Sequence, residues 1–436
     1  MTVQEMKAAA CKAIQDHAED IIKLATAIEL EPELGYKEFK TAAKVQAELD
    51  KIGFAHKDGV AVTGIITPVE GRDHKAKVAI MGELDAVLVP GCPTADPVTG
   101  AAHCCGHNAQ AASVIGVAYA LKETGIMKEL DGDIVLMHVP SEEFVELEYR
   151  KGLIDEGKIS LIGGKQEFIK LGVMDDIDAM IMQHTSRVEV KNGKTIVACP
   201  GGEGGLGFVG RMVQYVGKAS HAAMPWQGVN ALKAAQVGML AIDSQRETFP
   251  PEDNIRVHPI VTKGGDLVNV VPSDVRIETY VRGASTEAIL NAAEKVDRSF
   301  QAGADALGAK VNITKLPGYM CPLDCKPLKE LVCSNLNDIF GEEHVDPVGH
   351  GGSTDASDVA HIMPTVHMYI GGATGVGHGD DYKVSDPQMA IVDAAKVMVC
   401  SAIDLLANGA EKALEIKKNW KAPMTKEEYL SKWCGL

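Results

Sequence analysis

Lys77-Val78-Ala79-Ile80-Met81-Gly82-Glu83-Leu84-Asp85 (KVAIMGELD) is an apolar run that ends on an acid. It reads as a buried strand, 77–84, emptying into Asp85. Three further runs have the same form. Residues 133–139 lead into Pro140-Ser141-Glu142-Glu143, and 179–182 lead into Gln183-His184-Thr185. Residues 365–370 lead into Gly371-Gly372 and a glycine-rich turn that carries His378-Gly379-Asp380-Asp381. Helical segments separate the four, which predicts an α/β fold with a mainly parallel sheet. Such sheets collect their chemistry beyond the carboxyl ends of the strands, so the four polar clusters are expected to meet.

Between the first two strands stands His103-Cys104-Cys105-Gly106-His107-Asn108 (HCCGHN), two thiols and two imidazoles at the start of a predicted helix, 109–122. Thiolate and imidazole are the usual ligands of zinc and similar ions. Alone, such a cluster is more often structural or an adventitious metal binder. The other three strand ends supply what it lacks.

A chain of 436 residues, 46% of them hydrophobic, can bury a large core in two domains. With 43 basic and 60 acidic residues the net charge is −17, which argues against nucleic acid or an anionic membrane as partner. No apolar run approaches the ~20 residues of a membrane span. Residues 1–30 read as a charged amphipathic helix rather than a signal peptide. The ten cysteines are scattered, unlike a secreted disulfide framework, and a reducing cytoplasm is the expected location.

The rhythm changes over 207–319. Predicted strand 208–216, helix 229–246, strands 255–263 and 275–282, helix 286–307 and strand 310–315 follow the order β-α-β-β-α-β, a ferredoxin-like arrangement. The expected organisation is a catalytic domain, 1–206 and 320–436, interrupted by a small inserted domain, 207–319. Two crossings between domains suit a cleft that opens and closes.

Cys105, His107, Glu143, His184 and His378 together offer a thiolate, a carboxylate and three imidazoles, enough for one complete metal site or two ions sharing a ligand. Glu142, beside Glu143, is then the natural general base, since a bound cation lowers the pKa of water towards ~7 and a carboxylate can carry the proton. Asp85 suits the orienting of a ligand imidazole. In the inserted domain His221 sits in a small-residue loop after a strand, where its ring could meet an oxyanion. Arg276, Glu278, Tyr280 and Arg282 share the polar face of one strand, where an arginine could hold a carboxylate. Taken singly, each has a plainer explanation as a solvated or capping residue.

The chain resembles the metallo-amidohydrolases that include aminoacylase, carboxypeptidase G, hippurate hydrolase and the plant indole-acetyl-amino-acid hydrolases. It is most similar to the branch with aminobenzoyl-glutamate hydrolase and the aminoacylase-1-like dipeptidases. The matching residues are Glu31-Pro32-Glu33-Leu34-Gly35 with Glu38, Glu83-Leu84-Asp85-Ala86, Cys105-Gly106-His107-Asn108 and Pro140-Ser141-Glu142-Glu143. Gly217-Lys218-Ala219-Ser220-His221-Ala222-Ala223, Asn269-Val270-Val271-Pro272 and Ser353-Thr354-Asp355-Ala356-Ser357-Asp358-Val359 continue the series.

The resemblance implies two divalent ions, Mn2+ or Zn2+ with Co2+ or Ni2+ as alternatives, on Cys105 (bridging), His107, Glu143, His184 and His378. It implies Glu142 as base, Asp85 as orienting group, and Asn269 and Arg282 on the substrate carboxylate. His221 would reach the active site of a partner subunit in a homodimer formed by the inserted domain. The implied reaction is metal-dependent hydrolysis of N-acyl- or aminoacyl-amino acids. The alternatives are a dipeptidase or aminopeptidase of the same family, a silent small-ligand-binding relative, or a thiol hydrolase using Cys104 or Cys105. Three features depart from the pattern: a second thiol, Cys104, and longer segments at 88–102 and 144–172.

Overall fold

A computed structural model of the protein describes residues 1–202, 204–349 and 351–435. The chain forms two compact units. One comprises Met1–Glu203, Leu323–Gly351 and Asp358–Leu430; the other comprises Gly204–Pro322, Gly352–Ser357 and Ser431–Leu436.

The first unit is built on an eight-stranded sheet with the order Lys57–Val60, Gly64–Val69, Asp133–Val139, Lys77–Glu83, Ala179–Arg187, Thr365–Thr374, Ala198–Cys199; Lys383–Val384 also pairs with Thr365–Thr374. The four central strands run parallel, and the flanking ones are antiparallel. Val78, Ala79, Ile80 and Met81 have no exposed surface. Burial on both faces is why these strands read as unbroken apolar runs rather than alternations.

Two predicted strands run on past their expected ends, to Arg187 and to Thr374. They are each other's parallel neighbours through Tyr369–His184 and Ile370–Thr185, so the ladder carries polar side chains where composition alone signals a stop. His184 therefore lies within a strand, not beyond one.

Helix His107–Thr124 is buried on every side from His107 to Leu121. Its alanines and β-branched residues pack between the sheet and helices Val3–Asp16, Ala18–Glu29, Phe39–Ile52 and Ala394–Leu406. The single helix expected over 1–30 is two, because His17 leaves helical backbone (φ −101°, ψ 11°) and stacks its ring on Tyr119 at 4.0 Å. The long segment after Glu143 contains two helices, Leu147–Asp155 and Gly164–Leu171. The 88–102 loop is closed at its base by pairing of Val87–Leu88 with Ala101–Ala102.

In the second unit an antiparallel sheet has the order Arg256–Val257, Asp274–Gly283, Gly207–Val216, Lys310–Leu316, with Ile260–Lys263 also on Asp274–Gly283. Helices Ala231–Gln245 and Thr286–Leu307 pack on it. The expected strand 255–263 is two, broken at His258-Pro259, where proline has no N–H for the ladder. Along Asp274–Gly283 the alternation places Val275, Ile277 and Val281 in the core and leaves Arg276, Glu278, Tyr280 and Arg282 partly exposed.

Candidate active site

The first unit brings five of the expected residues together. The ligand atoms of Cys105, His107 and His184 lie within 4.8 Å of one another, as do those of Cys105, Glu143 and His378. The two triangles share the Cys105 thiol. Cys105 precedes the long buried helix and His107 opens it; His184 comes from the third central strand, Glu143 from the turn after the second and His378 from the turn after the fourth.

Hydrogen bonding fixes which imidazole nitrogens face this centre. A carbonyl only accepts, so His107 donates its Nδ1–H to the Asp85 carbonyl (2.9 Å), with Asp85 Oδ1 at 3.2 Å. His184 donates its Nδ1–H to the Thr185 carbonyl at 2.7 Å. Both rings thus turn Nε2, rather than Nδ1, towards the centre. That of His184 lies 3.3 Å from Cys105 Sγ, and that of His107 is buried and accepts no hydrogen bond. Such tautomer-setting partners are typical of metal-binding imidazoles. His378 Nε2 lies 2.9 Å from Glu143 Oε1, which raises the imidazole's pKa. Asp85 also accepts the Glu143 backbone N–H at 2.8 Å, tying two donors to one carboxylate.

Glu142 is buried, and its carboxylate forms a third group with His107 and Glu83 within the same 4.8 Å limit. The residue before it, Ser141, holds a positive φ of 56°. A non-glycine residue there is strained, and the surroundings must hold it. They do: the Ser141 N–H donates to Glu38 Oε1 (2.8 Å), its hydroxyl donates to the Ile162 carbonyl (3.1 Å), and its carbonyl accepts from Gly164 N–H (3.0 Å). Burial, reinforced by the charge of Asp85, pushes the Glu38 carboxyl up to about 8.

The electrostatics favour a cation at this centre. Burial, and then the charge of Glu143, raise the Cys105 thiol well above its ordinary range, so the bare protein disfavours a thiolate there. A divalent ion reverses that sign. The donor set of one thiol, one carboxylate and three imidazoles, with an unbonded buried nitrogen among them, fits such an ion. Cys105 is the thiol that faces the centre. Cys104 instead packs with Val87, Val89, Cys92, Ala102 and Tyr382 in an apolar cluster, and burial pushes it up to about 12.

Other residues of this region have no site role in the sequence reading. Glu83 is buried at the end of its strand; its Oε1 lies 2.5 Å from the ammonium of Lys165, its Oε2 accepts from the Gln110 amide at 2.6 Å, and His107 Nε2 is 3.1 Å away. Burial alone would raise its pKa. Lys165, then His107, His367 and His184, override that and hold it well below the usual carboxylate range. A charge inside an otherwise apolar strand was the available signal. His103 is buried and His367 half-buried, both with their two ring nitrogens unbonded, and desolvation lowers each to about 3.

His221, Asn269 and Arg282 belong to the second unit. The Asn269 side-chain amide lies 3.2 Å from His221 Nε2, and Ala223 N–H donates to His221 Nδ1 at 3.1 Å. Arg282 lies over the rings of Phe208 and Tyr280 and donates to the Ser353 hydroxyl at 3.2 Å.

Gly106, between Cys105 and His107, has φ +85°, and a Cβ there would run into the Thr185 hydroxyl and the Tyr382 hydroxyl. Gly106→Ala combines left-handed strain with overpacking and is expected to destabilise the first unit by about 2–4 kcal/mol. Chemical denaturation of the metal-free protein measures this, and an unchanged midpoint would refute the packing described.

The sequence pattern of peptidase family M20/M25/M40 matches residues 79–403. The chain is 27% identical over 446 residues to an Xaa-Arg dipeptidase of Mus musculus, covering 98% of this chain and 94% of that one. It is 27% identical over 356 residues to IAA-amino acid hydrolase ILR1-like 4 of Arabidopsis thaliana, covering 78% and 74%. The fold is shared with the aminobenzoyl-glutamate utilization protein of Klebsiella pneumoniae (TM-score 0.68, 19% identity, covering 91% of this chain and 99% of that one). No helix among the described residues is long and apolar enough to cross a membrane. The chain belongs to peptidase family M20/M25/M40 and is a metal-dependent hydrolase.

Proposed function

We propose that this hydrolase cleaves the amide bond of N-acyl- or aminoacyl-amino acids that keep a free carboxylate. The observation that carries the reading is the pair of donor triangles sharing Cys105, with Glu142 beside them. Cys105, His107 and His184 would hold one divalent ion and Cys105, Glu143 and His378 a second. Mn2+ or Zn2+ suits this mixed donor set, and Co2+ or Ni2+ would also be accepted. When bound, such an ion lowers the pKa of water and polarises a carbonyl.

The chain's own residues do the rest. Glu142 takes the proton of the attacking water and passes it to the leaving nitrogen. Asp85 holds the His107 ring and the Glu143 backbone in place. His221 would donate to the developing oxyanion, while Asn269 and Arg282 would bind the substrate carboxylate. The His221–Asn269 contact supports treating those two as one functional pair. We further assign residues 207–319 as an inserted lid and dimerisation domain, the working form as a homodimer, and the location as the cytoplasm. The relatives support the substrate class, one being an amino-acid conjugate hydrolase and one a dipeptidase. Near full-length coverage of the dipeptidase keeps dipeptides as the second reading.

Amino-acid release from N-acetyl, N-benzoyl, aminobenzoyl and dipeptide substrates tests this. Turnover is expected to vanish after chelation and to return with Mn2+ or Zn2+. Activity that survives chelation would refute the metal mechanism, and a strict need for a free substrate amine would favour the dipeptidase.

A further inference from the structure

We propose that Arg187 is a specificity-determining residue that selects substrates bearing a second anionic group, such as a further carboxylate on the acyl or amino-acid part. The inference takes its reacting amide from the proposed function above. In the first unit a cavity of about 420 Å3 is lined both by Cys105, His184 and His378 and by Arg187, Lys191 and Asp346. That volume suits a small-molecule substrate. A register shift between Ile370 and Ala373 of the neighbouring strand accompanies this wall, with Arg187 paired to Ala373 beyond it. Irregularities of this kind re-aim side chains next to active sites.

The charges of this wall are unequally committed. Lys191 Nζ lies 3.0 Å from Asp346 Oδ2 and 3.2 Å from Glu189 Oε2, so the lysine and both neighbouring acids are mutually satisfied. Arg187 is exposed and its guanidinium has no hydrogen bond or ion pair among the described residues, in a chain whose net charge is −17. An unpaired guanidinium facing the donor residues' own cavity offers a planar fork suited to a carboxylate. A neutral substrate leaves Arg187 in water at no penalty, so the effect is one of selectivity rather than of an absolute requirement.

The test separates binding from turnover. The metal-loaded protein and its Arg187→Gln variant are titrated calorimetrically with dicarboxylates from malonate to adipate and with monocarboxylates of matched length. One dicarboxylate is expected to bind wild type about tenfold more tightly than its monocarboxylate counterpart, and Arg187→Gln is expected to abolish the difference while leaving monocarboxylate affinity unchanged. Equal binding of both series by wild type, or a preference that survives in Arg187→Gln, overturns the proposal. Turnover of N-acetyl against N-succinyl amino acids is measured in parallel. Failure to cleave either one refutes the proposed reaction but not the anion site, whereas cleavage of both without a preference lost in Arg187→Gln refutes the specificity role.

Discussion

Glu142→Gln should lower kcat by about a hundred- to ten-thousandfold while leaving metal content and substrate affinity close to wild type. The substitution keeps the shape of the side chain and removes only its capacity to take and return a proton, a contribution of roughly 10²–10⁴ in rate. Glu142 groups with His107 and Glu83 but is absent from both triangles that share Cys105, so metal retention is the informative control. Metal analysis beside steady-state kinetics decides the matter. If the ion is lost together with activity, Glu142 is a ligand. If activity persists with the ion bound, the base lies elsewhere.

The second large effect concerns stability. Lys165→Met is expected to destabilise the first unit by about 3–5 kcal/mol, because it strands the Glu83 carboxylate in the interior. Combining it with Glu83→Gln should recover most of that loss, since no uncompensated charge remains and the amide can still meet Gln110. Denaturation of metal-free protein gives the cleanest measurement, as an ion near His107 would partly neutralise the stranded charge. Equal losses in the single and double variants would show that Lys165 acts by packing alone. The pH dependence follows from the depressed pKa of Glu83. The pair's stabilisation is complete above the ordinary glutamate value of about 4.3 and fades as pH falls below it towards the folded-state value.

Much of this was legible in the sequence because the chemistry sits where periodicity breaks. Asp133–Val139 has the expected bounds, and the Lys77–Glu83 strand differs from its reading by one residue. Cys105, His107, Glu143, His184 and His378 converge as the strand-end argument required. Strand length was less legible at 179 and 365, where pairing between two strands distant in sequence outweighs local polarity. Lys165 falls inside the longer segment 144–172, which the sequence marks only by its length. Nothing near position 165 announces that its partner is Glu83, because burial of that pair is a property of the tertiary fold. Glu83 itself stands in the sequence as a motif position, not as the buried partner of Lys165.

The convergence of these donors also bears on how the protein is made. Residues 103–107 put two thiols and two imidazoles early in the chain, whereas His378 emerges only after most of it has been synthesised. Until the fourth central strand docks, the growing chain displays a soft-ligand cluster with no enclosing wall, open to whichever thiophilic ion or oxidant it meets. On the proposed ligand assignment the site would be complete only late in synthesis, and expression under different metal supply should then yield protein carrying different ions from one and the same polypeptide.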